Sequence, residues 1–392
     1  MGVQDDILYL DEPQALRAFC AELRSTQWLA LDTEFLRESS YYPQLCLLQL
    51  ATPERIALID PLRLDDLEPL LSLLFDTAIL KVVHAGRQDF EIFFHLCQRV
   101  PAPVFDTQMA APLLGYADQI GYGSLVHEVL QVRLPKTHSR TDWSHRPLSR
   151  AQIHYAADDV RYLAELYPRM HDELVRRGRL AWLHTDFEAL SSPVTYTVVA
   201  ADAWLRVKGY DRLRGAPLAV LQRLAAWREE AARREDKPRK WLLGDDALLA
   251  IAKVMPEAEG DLRRIRGLHP RALKRYAREL LVLIGEAKSQ RPEPVPEGRR
   301  PQPLERWQEP VVDILSAVVK HIAAREDLHP SVLASRMDLE RMVRGERNVP
   351  ALSGWRGELL KAPLLSVLAG KQGLRVAASG LELGPPDSLQ EG

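Results

Sequence analysis

Two acidic side chains near the start of the chain are spaced for metal chemistry. Asp32 and Glu34 lie two residues apart in the apolar sequence LALDTEF. Because side chains i and i+2 of a β-strand point to the same face, both carboxylates would converge on one spot. Two anions that close together need a neutralising cation, and carboxylate oxygens favour Mg²⁺ or Mn²⁺. For this motif alone, a pair of surface carboxylates is the alternative.

A third acid follows a second strand pattern. The sequence KVVHAGRQDF begins as a buried strand, breaks at Gly86 and places Asp89 at the opening of a helix. Asp89 is a candidate metal ligand, although an acid at a helix N-terminus is also favoured by the helix dipole alone. His84, at the end of the strand, is a candidate substrate contact, with a structural hydrogen bond as the favoured alternative.

A fourth acid lies on a long predicted helix. Ser149 and Gln152 form a capping-box pattern, which predicts one helix over residues 150–167. Tyr155 and Asp159 are then i and i+4 and share a face, whereas His154 lies about 140° around the axis from Asp159. We interpret the adjacent acid, Asp158, as a solvated neighbour.

These acids must be positioned by an α/β domain with a mixed sheet. Strand patterns cover 28–32, 45–50, 56–59 and 79–83, helical patterns cover 12–25, 65–75 and 86–97, and a short turn makes the second and third strands antiparallel neighbours. From about residue 200 the pattern is helical throughout. A Pro-rich linker is predicted over 291–305 and a disordered tail over 379–392.

The helical half contains a faint internal repeat. The sequence Arg234-Glu235-Asp236 recurs as Arg325-Glu326-Asp327, and each copy is followed by a proline, a leucine and an aspartate at similar spacings. Amphipathic helical segments flank both copies. The pattern predicts two copies of one helical module, with coincidence as the alternative.

The net charge of −2 hides a strong asymmetry. Residues 1–200 hold 18 basic and 27 acidic side chains, whereas residues 201–300 hold 23 basic and 15 acidic ones. A basic module behind an acidic one suits an enzyme that processes a polyanion, although a solvated surface is the alternative. The candidate phosphate contacts are five clustered cations: Arg233, Arg234, Lys237, Arg239 and Lys240.

The remaining composition is that of a globular protein in a reducing compartment. The three cysteines are widely spaced, and no two of them form a CxxC pair. This pattern indicates free thiols in a cytoplasmic protein. No run of about 18 apolar residues indicates a membrane span, and the N-terminal sequence lacks a secretory pattern.

The motifs LDTEF, HAGRQDF and HYAADDVRYL, in this order, resemble the three exonuclease motifs of the DEDD superfamily, most closely those of ribonuclease D. The resemblance implies a ribonuclease H-like domain over 1–200, followed by two all-α bundles similar to the helicase-and-RNase-D C-terminal (HRDC) domain, over 213–290 and 306–378. It also implies that two divalent metals, Mg²⁺ or Mn²⁺, are held by four carboxylates: Asp32, Glu34, Asp89 and Asp159. The superfamily uses a tyrosine or a histidine to position the attacking water. Both spacings occur here, and Tyr155 is favoured over His154.

The activity implied by this resemblance is 3′→5′ exoribonuclease action that releases nucleoside 5′-monophosphates, with tRNA precursors as the expected substrate. Thr33, Phe35 and Leu36 are candidate contacts to the terminal nucleotide, or else ordinary packing beside a strand. We expect a cytoplasmic monomer with no organic cofactor and no membrane partner. A 3′→5′ DNA exonuclease and a non-catalytic RNA-binding protein are the competing hypotheses.

Overall fold

A six-stranded mixed sheet organises the first half of the chain. The computed structural model describes residues 7–135, 141–296, 303–378 and 380–385. The strands of this sheet are β1 Ile7–Leu10, β2 Trp28–Leu36, β3 Gln44–Ala51, β4 Ile56–Ile59, β5 Leu80–Val83 and β6 Val104–Asp106. Their order is β1-β4-β3-β2-β5-β6. The predicted α/β class with a mixed sheet is confirmed.

Strand β2 lies inside this sheet and is paired on both sides. It runs antiparallel to β3 and parallel to β5, and β3 and β4 are antiparallel neighbours as predicted. The two edge strands, β1 and β6, pair in parallel with β4 and β5. A strand held from both sides is a rigid base for functional side chains.

Helices cover both faces of the sheet. They are α1 Pro13–Glu22, α2 Glu68–Leu74, α3 Arg87–Cys97, α4 Thr107–Ala110, α5 Tyr122–Leu130, α6 Arg150–Arg176, α7 His184–Ser191 and α8 Pro193–Tyr196. Leu29 and Leu31 of β2 pack with residues of α1, α2 and α3 on one face. Ala30 faces the other side and packs with α6. This alternation along β2 decides which of its side chains face α6.

Helix α6 begins where its sequence predicts. The Ser149 hydroxyl accepts a hydrogen bond from the Gln152 amide, and the Gln152 side chain bonds back to the Ser149 amide. This capping box satisfies amide groups that a helix start leaves unpaired. The helix continues through Pro168 to Arg176, beyond the predicted end at residue 167.

The first helical module follows the half of the chain that contains the six-stranded sheet. We call that half exonuclease-like, because its motifs resemble those of the exonuclease family. Its helices are α9 Gly215–Glu235, α10 Arg239–Leu242, α11 Asp245–Val254, α12 Glu259–Leu262 and α13 Pro270–Lys288. Their apolar faces form a separate core, which includes Trp227 and Leu280 and also takes in Tyr41 from the loop after β2.

The second helical module contains α14 Gln308–Arg325, α15 Arg336–Val343 and α16 Gly354–Leu368. Its apolar residues, such as Val312 and Leu360, belong to the same core cluster as α6. The sequence prediction of helix to residue 378 and a disordered tail from 379 was wrong in part. Strands β7 Gly373–Ala377 and β8 Gly380–Gly384 form an antiparallel hairpin. Residues 297–302 of the predicted linker and residues 379 and 386–392 of the predicted tail lie outside the described residues.

The repeated Arg-Glu-Asp sequence forms the same turn in both modules. Asp236 and Asp327 each follow a long helix and adopt left-handed backbone angles, with φ of 46° and 48°. Asp236 Oδ1 accepts hydrogen bonds from the amides of Tyr41 and Tyr42, at 2.9 and 3.0 Å. Asp327 Oδ2 accepts one from Arg177 Nη1 at 2.7 Å. Each module therefore contacts the exonuclease-like half through an equivalent aspartate.

None of the helices in the described part of the chain is long and apolar enough to cross a membrane. All three cysteines are free thiols, and Cys20 and Cys46 are buried.

Candidate active site

The two acids of β2 point toward α6. Asp32 and Glu34 follow Ala30 at two-residue intervals and are half-buried, whereas Leu31 and Thr33 between them are buried. Their partners across β3 are Gln49 and Leu47, and the pairing shifts at a bulge directly after Glu34. The strand period thus places both carboxylates on one face, as the spacing predicts.

A tight turn after β5 delivers Asp89. Ala85 adopts φ 57°, and a Cβ added at Gly86 would lie 2.5 Å from a methyl carbon of Val83. Only glycine fits so close to the strand that precedes it. Helix α3 then starts at Arg87 and holds Asp89 in its first turn, where its side chain is buried.

Asp106 fixes this turn and was not singled out in the sequence. Its carboxylate accepts hydrogen bonds from the amides of Ala85 and Gly86, at 3.1 and 2.9 Å. It also caps α4 by accepting from the amides of Gln108 and Met109. The four donors explain how a buried carboxylate is accommodated beside Asp89. A lone aspartate after a short strand carries no signal that distinguishes it in the sequence.

Thr33 holds Asp89 from the opposite side. The Thr33 hydroxyl donates a hydrogen bond to Asp89 Oδ1, and both residues are buried. Because Thr33 lies between Asp32 and Glu34 on β2, this bond ties the α3 acid directly to the strand that carries the other two. The Thr33 side chain therefore orients an acid, and the expected contact of its backbone groups with a terminal nucleotide stays a prediction.

Helix α6 supplies the remaining residues. Tyr155 and Asp159 are half-buried on the face toward β2, whereas His154 is exposed. The Tyr155 ring lies 6.0 Å from the ring of the buried Trp143. Asp158 forms an ion pair with Arg161 at 3.0 Å. The geometry therefore brings Tyr155, and not His154, to the acids.

The four acids perturb one another. Burial, and then the charges of Asp89 and Asp159, raise the pKa of Asp32 well above its usual value. Burial, Asp159 and Asp89 likewise raise the pKa of Glu34 to about 8. Burial also raises the pKa values of Asp89 and Asp159. Clustered carboxylates of this kind are stable in ionised form only when a cation neutralises them.

Four carboxylates suit hard divalent cations, but their oxygen atoms are not yet arranged as a coordination shell. Within the described ranges, no three His, Cys, Asp or Glu side chains lie close enough to hold a metal ion as they stand. One Asp89 oxygen is engaged by Thr33. Metal binding would therefore require carboxylate side chains to turn toward each other, which mutual repulsion opposes without a cation.

A cavity of about 680 Å³ lies beside Tyr155 and Asp159. Its other walls come from the start of α5 and the segment after it, and include Tyr122, His127 and Arg133. The Tyr122 hydroxyl donates to the backbone carbonyl of Asp158 at 2.8 Å, which ties this wall to α6. The cavity offers space for a nucleotide next to the acids.

Comparison with known proteins identifies the family. A family model described as 3′-5′ exonuclease matches residues 8–175, and one described as HRDC domain matches residues 218–284. Ribonuclease D of Bartonella henselae is 38% identical, covering 90% of this chain and 88% of that protein. Ribonuclease D of Zymomonas mobilis is 37% identical, covering 94% and 95%. The chain belongs to the ribonuclease D family.

The fold of this ribonuclease D family member is also that of a solved relative. The crystal structure of Escherichia coli RNase D, an exoribonuclease involved in structured RNA processing, has a TM-score of 0.78 and 32% identity. The superposed region covers 93% of this chain and 99% of the E. coli chain. The predicted order of an exonuclease domain followed by helical HRDC sequence is confirmed.

His84, Phe35 and Leu36 were also predicted to contact the substrate of this ribonuclease D family member. His84 uses both ring nitrogens inside the domain, with Thr107 Oγ1 at 2.9 Å and the Ile120 carbonyl at 3.1 Å. Burial lowers the pKa of His84 to about 4, so the ring is neutral at pH 7. The structural alternative describes His84 better. Phe35 and Leu36 are half-buried at the end of β2, and Leu36 packs on the core.

Two of the five predicted basic contacts lie in a network between the domains. The hydroxyl of the buried Tyr41 donates to Glu229 and accepts from Arg233 and Arg239, at 3.2 and 3.1 Å. Arg239 also pairs with Glu229 at 2.7 Å. These arginines hold the first helical module against the loop after β2. The partners lie almost 200 residues apart in sequence, so sequence reasoning could not find them.

Proposed function

We propose that this chain, a 3′→5′ exoribonuclease of the ribonuclease D family, trims the 3′ ends of structured RNA such as tRNA precursors. The observation that carries the proposal is the convergence of Asp32, Glu34, Asp89 and Asp159 from three separate elements onto one half-buried site. Burial and mutual repulsion raise their pKa values, so a cation that binds between them would stabilise their ionised forms. The E. coli relative's part in structured RNA processing supports the choice of substrate.

The four carboxylates would hold two divalent ions, Mg²⁺ or Mn²⁺. When bound, such a pair activates water and stabilises the departing 3′ oxygen of a phosphodiester. The chain's own contribution is to fix the acids: Thr33 orients Asp89, and Asp106 holds the turn that precedes it. The products would be nucleoside 5′-monophosphates.

Tyr155 would position the attacking water and would not deprotonate it. Burial, and then the charges of Asp159 and Glu34, raise the pKa of Tyr155 above its usual value. The phenol is therefore protonated at neutral pH and can only orient a water molecule by hydrogen bonding. His154 is exposed on another side of α6, which supports the tyrosine over the histidine.

The helical modules would bind the body of the RNA. Arg234 and Lys240 are exposed and have no ion-pair partner in the described part of the chain, whereas Lys237 pairs with Glu235 at 3.2 Å. We assign the exonuclease domain to 1–200 and helical modules to 213–290 and 306–378, the second as a diverged copy of the first. The shared left-handed aspartate turn supports that assignment. We further infer a cytoplasmic monomer.

A paired assay tests the proposal. Wild-type protein should release nucleoside 5′-monophosphates from a 3′-labelled tRNA-like RNA in Mg²⁺ or Mn²⁺, faster than from DNA of the same sequence. Asp89→Asn should slow release by about 10³-fold or more while leaving the circular dichroism spectrum unchanged. Faster release from DNA would favour the DNA exonuclease, and the absence of any metal-dependent product would support a binding protein.

A further inference from the structure

A cationic pocket lies where the loop after β2 meets the first helical module. We call it the junction pocket. It encloses about 370 Å³ and has nine lining residues: Arg37, Ser40, Tyr41, Arg206, Arg228, Pro238, Arg239, Lys240 and Asp245. Five of the nine are cations and one is an acid. Neither domain alone forms it.

Several of these cations are already compensated. Arg37 donates two hydrogen bonds to Glu91, both of 2.8 Å, and Arg239 pairs with Glu229. Arg206 and Lys240 are exposed and have no ion-pair partner among residues 7–135, 141–296, 303–378 and 380–385. The pocket therefore retains positive charge after every observed ion pair is counted.

Arg228 strengthens the demand for an anion. Its side chain is only 5% exposed, and Nη1 donates to the Leu243 carbonyl and to Asp245 Oδ1, each at 2.8 Å. Its Nε has no acceptor within the described part of the chain. The Arg228 charge is paired with Asp245, but its buried Nε–H remains without an acceptor, and an unsatisfied buried donor is costly.

The pocket also adjoins the catalytic elements. Arg37 comes directly after β2, which carries Asp32 and Glu34, and its partner Glu91 follows Asp89 on α3. A strand of RNA whose 3′ end lies at the acids would pass close to this point. The planar guanidinium groups match the geometry of a phosphate.

We infer that the junction pocket binds a backbone phosphate of the RNA strand upstream of the scissile bond, and so couples the first helical module to the catalytic site. The inference rests on the proposed function. Bases are not read here, since the lining offers charge and few groups that could distinguish one base from another. The pocket binds long substrates irrespective of sequence.

The test removes the two uncompensated cations. Arg206→Gln and Lys240→Gln are combined, and binding of a 3′-tailed, single-stranded RNA is measured by fluorescence anisotropy in Ca²⁺ over a series of KCl concentrations. The slope of log K against log salt should fall by about 0.7, which is the contribution of one phosphate contact on a single strand. At physiological salt, Kd and the KM for trimming should rise on the order of tenfold, with the effect on KM and not on kcat.

The matched control is Lys253→Gln with Lys274→Gln. Both lysines are exposed in the same module, lie outside the pocket and remove the same charge. The control should keep the wild-type slope and KM. An equal change in both double variants, or no change in either, would overturn the inference. A kcat loss confined to the pocket variant would also overturn it, whereas failure of the wild type to trim RNA would refute the proposed function itself.

Discussion

Replacing Glu34 with glutamine is expected to stabilise the metal-free protein at alkaline pH. Burial, and then the charges of Asp159 and Asp89, raise the pKa of Glu34 from 4.5 to about 8. Below pH 4.5 the carboxyl is protonated in both folded and unfolded chains, so it costs nothing. Between pH 4.5 and pH 8 the carboxyl ionises in the unfolded chain but stays protonated in the folded one, so stability falls as the pH rises, and the loss is complete above pH 8.

The size of the effect follows from the pKa shift. Without solvent screening, this pKa shift corresponds to about 5 kcal/mol in the free energy of unfolding, since one pKa unit is about 1.4 kcal/mol. Glu34 is half-buried, so solvent screens part of this energy and we expect about 1–3 kcal/mol in the free energy of unfolding. That corresponds to a rise in melting temperature of several degrees, at roughly 2–4 °C per kcal/mol for a domain near 200 residues.

The assay is thermal unfolding in EDTA at pH 4.5 and at pH 8.5, repeated with Mg²⁺. Glu34→Gln should melt higher than wild type at pH 8.5 and at the same temperature at pH 4.5. Mg²⁺ should stabilise the wild type more than the variant. Glu38→Gln, in the exposed loop after the same strand, is the control and should match wild type throughout. A Glu34→Gln protein no more stable than wild type at pH 8.5 would refute the reasoning.

Three further perturbations test separate parts of the structure. Tyr155→Phe should lower kcat about 10²-fold in single-turnover trimming without changing metal affinity, whereas His154→Ala should keep wild-type kcat. Asp106→Asn places an amide NH₂ against at least one of the four backbone donors, that of Gly86, so urea unfolding should show a loss of about 1–3 kcal/mol together with slower trimming. Asp236→Ala removes the oxygen that accepts from the amides of both Tyr41 and Tyr42, so hydrogen exchange at these two amides should become faster.

Each of these has a clear contrary result. A larger kcat loss in the histidine variant than in the tyrosine variant would reverse the assignment of the water-positioning residue. Wild-type stability in Asp106→Asn would show that the turn before Asp89 is held by other contacts. Unchanged exchange in Asp236→Ala would mean that the first helical module docks mainly through its other contacts with Tyr41, polar and apolar.

The parts of the fold that could be predicted are those with local signals. Strong apolar runs identified β2 to β5, and the capping box identified the start of α6. Strands β1 and β6 were not predicted; both lie at the edges of the sheet, and β6 has only three residues, too few for a period to show. The hairpin formed by β7 and β8 was missed because its strands are short, begin with glycine and contain charged residues, a composition that resembles a tail.

The residues of the site also divide into those with a local sequence signal and those without one. The i, i+2 and i, i+4 spacings placed Asp32 with Glu34 and Tyr155 with Asp159, because strand and helix periods are local rules. Contacts across long sequence separations could not be predicted. Asp106 bonds the turn 20 residues before it, and Arg233 and Arg239 meet Tyr41 across almost 200 residues. Basic residues that sequence assigns to RNA can therefore belong to a domain interface.

The most direct test of the central claim is a metal titration of 3′ trimming in wild type and Asp159→Ala. The substrate is a tRNA with a labelled 3′ tail, and the product is analysed as nucleoside 5′-monophosphate. We predict no product in EDTA, saturable activation of wild type by Mn²⁺ or Mg²⁺, and a rate at least about 10³-fold lower in Asp159→Ala at every metal concentration. Wild-type trimming in EDTA, or an unimpaired Asp159→Ala enzyme, would contradict a metal site built from these four acids.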